Sequence, residues 1–237
     1  MDWHAWHRDY DRTDSSLRRR LDVVRKRIRL ALDECPPGPV RVISVCAGQG
    51  HDLIGALWDH PRRGDVTARL VELDVGNAAT ARESARAAGL HGIEVVVGDA
   101  ASTTHYTGMA PADLVLVCGV FGNITDDDVE RVATYSKQLC RSGGTLVWTR
   151  HRKPPDLVPR ICGWLEAEGF ERLWMSEPDA GFGVGVHRLA GESRPLDTAQ
   201  SMFTFVGYDV LARSGRASQY GDRTRCRRSR DACRNPS

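Results

Sequence analysis

Two glycines, Gly48 and Gly50, stand directly behind a run of branched apolar residues in the stretch RVISVCAGQGHD. Glycine has no Cβ, so main chain at such a place adopts positive φ and lets a ligand approach closely. Two carboxylates, Asp74 and Asp99, follow later apolar runs, RLVEL and IEVVVG. So placed, a carboxylate either caps the helix or turn that follows or offers its two acceptor oxygens to a ligand. Histidines are the remaining candidates. His151 follows LVWTR, His4 and His7 lie in an aromatic segment with Trp3, Trp6 and Tyr10, and His51 and His105 stand elsewhere. Near neutral pH an imidazole can take a proton from a hydroxyl or amine, so each is a candidate general base, with ordinary hydrogen bonding as the plainer alternative.

Composition limits the classes these groups can serve. The chain has 237 residues, 41% hydrophobic and 27% charged, which suits one α/β domain with additions at its ends. No apolar run approaches the roughly eighteen residues that cross a bilayer. The charged, aromatic start lacks the apolar stretch of a secretory signal, so a cytoplasmic protein without a membrane partner is expected. Seven cysteines, an odd number without CxxC spacing, argue against a disulfide framework or a zinc site. Cys46, Cys118 and Cys162 sit in apolar segments, as small buried hydrophobes do. The acids Asp126, Asp127 and Asp128, close to Asn123, are expected to face a helix N-terminus, and no metal site is expected. From Arg213 onward eight arginines and two aspartates give a surplus of +6, so the net charge of +2 hides a preceding chain of −4. That tail reads as a solvated extension, with phosphate binding as the alternative.

Strand-like and helix-like segments alternate to hold these groups. Residues 14–34 predict an amphipathic helix: Leu17, Leu21, Val24, Ile28 and Leu32 share one stripe, and arginines fill a solvated opposite face. The run CPPGP at 35–39 stops it. Strands are predicted at residues 40–46, 68–73, 93–97, 114–118 and 145–149, and helices at 49–60, 77–88, 125–140 and 155–168. Two further strands, 170–175 and 182–189, joined by a PDAG turn, read as a terminal antiparallel hairpin. The alternation predicts an α/β fold: a doubly wound, mostly parallel seven-stranded sheet, covered on both faces, with an N-terminal helical extension. Ligands of such sheets lie at the carboxyl ends of the strands, where strand order reverses.

A dinucleotide turn would need G-x-G-x-x-G, and its third glycine position holds Leu53; the nucleotide-triphosphate loop G-x-x-x-x-G-K-[ST] does not occur in the sequence. The stretch instead resembles the class I S-adenosylmethionine-dependent methyltransferases, whose first strand ends in an acid followed by G-x-G-x-G. On that pattern Ser44 takes the acid's place, Cys46 that of the first glycine, and Ala47-Gly48-Gln49-Gly50 the remainder. The resemblance implies S-adenosylmethionine as cofactor, held at the turn by Cys46, Ala47, Gly48 and Gly50. It implies that Asp74, with Glu72 in reserve, holds the ribose hydroxyls, and that Asp99 and the Ala100 amide meet the adenine. Cys118 and Gly119 of VCGVFGNI would flank the methionine end. With Ser44 in the acid's place, the carbonyl of Cys118 or Gly119, or Asp52, would hold the amino group. The match keeps order and spacing over residues 40–190, and WHAWHRDYD, CAGQGHDL, VCGVFGNITD and FGVGVHR are similar to an uncharacterised bacterial methyltransferase group.

The resemblance implies methyl transfer to a small-molecule acceptor by direct in-line displacement. The sulfonium already activates the methyl group, so the protein has chiefly to align a nucleophile, with His151 or His7 as the base where a proton must leave. The WHAWH segment could fold over the site or pack its tryptophans on the domain. Under this reading residues 1–39 are a helical and aromatic extension, 40–190 the S-adenosylmethionine-binding domain, 191–212 a closing segment and 213–237 a basic tail. Two other functions fit the same residues: an RNA methyltransferase that uses the tail, and a non-catalytic protein that binds the cofactor. The oligomeric state is left open.

Overall fold

The computed structural model of the chain describes residues 15–208 and 210–211. His4 and His7, the tryptophans beside them and the stretch 213–237 therefore lie outside the described residues. Helix α1 (Ser16–Glu34) comes first, capped by the Ser15 hydroxyl, which accepts from the Arg18 amide at 3.0 Å. Leu21, Val24, Ile28, Ala31 and Leu32 are its buried stripe, as a period of 3.6 residues requires. There follow β1 (Val40–Val45), α2 (Leu53–Leu57), β2 (Val66–Glu72), α3 (Val75–Ala87), β3 (Ile93–Val97) and β4 (Ala112–Val117). After them come α4 (Asp126–Leu139), β5 (Cys140–His151), α5 (Val158–Ala167), β6 (Phe170–Met175) and β7 (Phe182–Leu189).

The strands form one sheet in the order β3-β2-β1-β4-β5-β7-β6. The first five pair in parallel, and β7 runs antiparallel between β5 and β6. The doubly wound, mostly parallel seven-stranded sheet is thus present, with its antiparallel hairpin. Burial on both faces explains the continuous apolar strands: Leu114, Val115, Leu116 and Val117 are all fully buried. On one face Ile43, Val115 and Trp148 pack with residues of α4 and α5, among them Val129, Val132 and Leu165. On the other, Val42 and Leu116 pack with Ile28, Leu53, Leu57 and Ala81 of α1, α2 and α3.

Two details differ from the sequence reading. The helix expected over 49–60 is confined to Leu53–Leu57, because Gly48 (φ +55) and Gly50 (φ +70) hold the preceding chain in a left-handed turn. Strand β5, expected over 145–149, begins at Cys140, before Gly143 and Gly144. Its pairing with β4 shifts between Ala112 and Leu114, and a Cβ on Gly144 would stand 2.9 Å from the Ala112 carbonyl. The N-terminal helix expected from the sequence is present as α1 and packs on the sheet domain. Its Arg27 guanidinium lies 3.4 Å over the Trp174 ring of β6, and its Glu34 accepts from Arg188 of β7 at 2.7 Å. Beyond β7 the chain returns along α4 and the segment after β3: the Asp197 amide donates to Gln138 Oε1 at 2.8 Å, the Met202 amide to the Ala101 carbonyl at 2.9 Å, and Met202 and Phe203 are buried. Among the described residues no helix is long and apolar enough to cross a membrane.

Candidate functional site

A cavity of about 630 Å³ opens at the carboxyl ends of β1 and β4, where strand order reverses, the place at which a doubly wound sheet receives a ligand. One side is the turn after β1. Cys46 has φ +51, so a residue with a side chain occupies the left-handed region that favours glycine. It does so at the position matched to the first glycine of the turn. Gly50 serves another purpose. It is buried and does not line the cavity, and a Cβ there would lie 2.7 Å from Ile54 Cδ1 and 3.1 Å from Leu70 Cδ2. Its bareness lets α2 pack on β2, and Gly50, expected among the cofactor-binding residues, stands outside the lining.

Three carboxylates stand at the β2 and β3 end. Glu72, the last residue of β2 and 9% exposed, accepts from the Gly48 amide with Oε2 at 2.8 Å and from the Asp74 amide with Oε1 at 2.9 Å. An ionised carboxylate has about four acceptor sites, so two amides leave capacity for a ligand. Asp74 also lines the cavity, but its Oδ1 accepts from the Asn77 amide at 2.8 Å and caps α3. Asp99 sits at the exposed rim, with Oδ1 on the Ala101 amide at 2.9 Å. Buried Asn77 accepts from Gln49 Nε2 at 3.1 Å and thereby pins the turn to α3.

Cys118 and Gly119 bound the β4 end. Gly119 (φ +81) donates its amide to Thr149 Oγ1 at 2.8 Å, and its carbonyl accepts from Asn123 Nδ2 at 2.7 Å. Asn123 ties in the closing segment as well. Its Oδ1 accepts from the Tyr208 amide at 3.0 Å, and its carbonyl from the Val206 and Gly207 amides at 2.8 and 2.9 Å. That segment brings Phe203 and Phe205 to the cavity, whose apolar lining also includes Leu21 and Val24 of α1. Asp52, at the same end, accepts from the Leu53 amide at 2.7 Å; desolvation raises its carboxyl above the usual range, and Arg25 and Arg20 oppose the rise. Burial also raises the Cys46 and Cys118 thiols, so both are neutral packing groups at physiological pH. Asp52, Glu72, Asp74 and Asp99 against Arg20 give the lining an acidic balance among the described residues.

His151 ends β5, two residues beyond Thr149, and is not part of the cavity lining. Its ring stands edge-on to Tyr208 at 5.3 Å, and its Nδ1 accepts from the Lys153 amide at 3.3 Å. Burial first, then Arg150 and Lys153, hold its pKa down to about 4. The ring is therefore neutral at pH 7, and with Nδ1 accepting, its proton sits on Nε2. Such a ring offers a donor at Nε2, and His151, expected as a general base, stands outside the cavity lining. His51 does line the cavity, with Nε2 against Gln49 Oε1 at 3.1 Å, whereas the His105 ring packs against Gly98 away from the lining.

No protein-family model matches the sequence, and no curated protein does. Solved structures do match. The CurJ carbon methyltransferase is similar over 77% of this chain and 57% of that one, with TM-score 0.60 at 17% identity. An O-methyltransferase family protein from Burkholderia thailandensis gives TM-score 0.59 at 18% identity, over 75% of this chain and 57% of its own. The 1,6-didemethyltoxoflavin-N1-methyltransferase of the same organism, solved with 1,6-didemethyltoxoflavin and S-adenosylhomocysteine, gives 0.59 at 16% identity over 80% and 84%. The fold is that of the class I S-adenosylmethionine-dependent methyltransferases. The chain spans 57% of the length of each of the first two.

On this methyltransferase fold the residues singled out in the sequence converge. Cys46, Ala47, Gly48, Asp74, Asp99, Ala100, Cys118 and Gly119 line the one cavity, and Gly50 stays outside. Ser44 is buried, 2% exposed, and does not reach the lining. Thr149, Asn77 and Arg20 were not legible as site residues. Arg20 belongs to the arginine face assigned to solvent, yet the structure turns it to the cavity, since it adjoins Leu21 and stands four residues before Val24 at the border of the buried stripe. Phe203 and Phe205 carried a signal in the alternating run MFTF, an apolar pair on one side of an extended segment.

Proposed function

We propose that this protein transfers the methyl group of S-adenosylmethionine to a small, largely apolar acceptor. The observation that carries the reading is a cavity at the β1/β4 reversal of a methyltransferase fold, with carboxylates at one end and an apolar lining from α1 and the closing segment. Its volume falls within the roughly 300–1,000 Å³ usual for small-molecule sites. Carboxylates suit hydroxyl and amino donors, and the acidic balance suits a ligand carrying a sulfonium cation.

In this reading Glu72 holds the ribose hydroxyls in preference to Asp74. Its carboxylate is fixed by two amides at the end of β2, whereas Asp74 is committed to the α3 cap. Asp99 and the Ala100 amide take the adenine edge. When bound, S-adenosylmethionine supplies an electrophilic methyl group on positively charged sulfur. The chain contributes alignment and the exclusion of water. Leu21, Val24, Phe203 and Phe205 provide the apolar surface against which an acceptor is oriented, and Thr149 and Asn123 fix the Gly119 loop beside it.

Calorimetry with S-adenosylmethionine and S-adenosylhomocysteine, followed by transfer of labelled methyl into a fractionated bacterial extract, tests the reading. Binding of both and label in the small-molecule fraction are expected. No heat of binding would overturn it, binding without transfer would leave a cofactor-binding protein, and label in the RNA fraction would replace the acceptor class.

A further inference from the structure

We propose that the methyl acceptor is a small, ring-bearing carboxylate and that Arg20 holds its carboxylate against the α1 wall of the cavity. The inference rests on the cofactor reading and names the acceptor class for the same cavity.

Arg20 lines the cavity from α1, on the apolar wall that Leu21 and Val24 provide for an acceptor. It is half-buried, yet it makes no hydrogen bond and no ion pair within 4.0 Å among the described residues. Other arginines of the same helix are engaged. Arg29 pairs with Asp59 at 2.6 Å, Arg27 stacks on Trp174, and Arg25 donates to the His51 carbonyl at 2.8 Å. Arg20 stands within electrostatic reach of Cys118 and His151, which places it over the ends of β4 and β5. Asp52 is within the same reach, but no Arg20 nitrogen lies within 4.0 Å of its carboxylate. A planar guanidinium left with its five donors beside apolar side chains is suited to a carboxylate, which it can grip with two parallel bonds.

Charge, hydrogen bonding and shape agree on the rest of the acceptor. A sulfonium and Arg20 in one cavity repel each other, and an anion standing between them is drawn to both. Arg20 is the one arginine or lysine among the described lining residues, and Asp52, Glu72, Asp74 and Asp99 share that lining. A doubly charged phosphate would meet more repulsion there than one guanidinium offsets, whereas a single carboxylate matches it. Thr149 of β5 also lines the cavity; its Oγ1 accepts from the Gly119 amide at 2.8 Å, and its own proton goes to no protein acceptor among the described residues. That donor remains for an oxygen of the ligand. Phe203 and Phe205, alternate residues of the closing segment, face the same space, and their rings meet a ring of the ligand stacked or edge-on.

The test is titration calorimetry on the full chain saturated with S-adenosylhomocysteine, using two isosteric pairs of probes, benzoate with benzamide and cinnamate with cinnamamide. In at least one pair the carboxylate should bind about 10- to 100-fold more tightly than the amide. Arg20→Met should bring the two members of that pair within about twofold of each other, while S-adenosylhomocysteine itself, titrated alone, stays within about twofold of its affinity for the unaltered protein. Arg20→Lys, with the charge but not the fork, should keep part of the preference and serves where the methionine variant folds poorly. No preference for the carboxylate in either pair, or a preference that survives Arg20→Met, would overturn the proposal. A larger loss of S-adenosylhomocysteine affinity in Arg20→Met would give the arginine to the cofactor and overturn it too. Failure of the unaltered protein to bind S-adenosylhomocysteine would overturn the cofactor reading and the acceptor class together.

Discussion

Lowering the pH from 7 to 5 should remove about 2 kcal/mol of folding stability through His187 alone. This histidine of β7 is fully buried, its Nδ1 accepts from Trp148 Nε1 at 3.1 Å, and its Nε2 is buried without a hydrogen-bond partner. The indole cannot swing away easily, since it packs where a Cβ on Gly185 would stand 2.3 Å from Trp148 Cε2. Protonation would set an N–H against the indole N–H and place a charge in the buried layer beside Trp148. Burial first, then Arg172, hold the pKa at about 4 against 6.5 for a free side chain. Because the folded value is the lower one, the unfolded chain binds a proton between pH 6.5 and 4 that the native protein refuses. Stability is full above that window, falls by up to about 1.4 kcal/mol per pH unit within it, and levels off below. Urea unfolding at pH 7, 6 and 5 and constant ionic strength, on the unaltered protein and on His187→Gln, isolates the effect, since His151 titrates in both. The unaltered protein should lose about 2 kcal/mol more than the variant between pH 7 and 5. Equal losses in the two would refute the argument from the buried ring.

Exchanging Glu72 for Gln replaces an acceptor oxygen with an N–H₂ facing a backbone amide and removes the charge. Affinity for S-adenosylhomocysteine should fall by about 1.5–3 kcal/mol in calorimetry, whereas Asp74→Asn, which keeps a cap, should change it by less than about 0.5 kcal/mol. Gly50→Ala should cost about 2–3 kcal/mol in urea unfolding, from the left-handed backbone and the contact with Ile54 together. Asn123→Ala removes the bonds to the Gly119 carbonyl and the Tyr208 amide; hydrogen exchange at residues 206–208 should quicken by roughly tenfold, the effect of about 1.4 kcal/mol.

The fold was legible because the sheet is buried on both faces. Runs such as LVLV cannot belong to a half-exposed strand, and their alternation with helix-like stretches leaves a doubly wound sheet as the economical arrangement. The carboxyl ends of the strands then bring Cys46, Asp74, Asp99 and Cys118 together without further information. What stayed hidden depends on side-chain partners rather than on pattern. Glu72 and Asp74 are two residues apart, and only the amides of Gly48, Asp74 and Asn77 distinguish a carboxylate set across the turn from one committed to a helix cap. Gly48 and Gly50 look alike in sequence, yet one borders the cavity and the other admits Ile54. His151 stands where a base was expected, and the burial that lowers its pKa, with the edge-on contact to Tyr208, arises only through folding.

The attachment of α1 bears on how the protein is made. Helix α1 is held in part by β6 and β7, with Glu34 and Arg188 separated by 154 positions along the chain. A nascent chain can pair β1 to β4 and pack α1 on α2 early, but the wall that carries Arg20, Leu21 and Val24 gains its contacts with Trp174 and Arg188 only once the β6–β7 hairpin has been synthesised. Closing so long a loop is slow relative to local pairing. Ligand capacity should therefore rise once the β6–β7 hairpin has been added, and chains arrested before Phe182 should carry most of the parallel sheet with a less firmly held cavity wall.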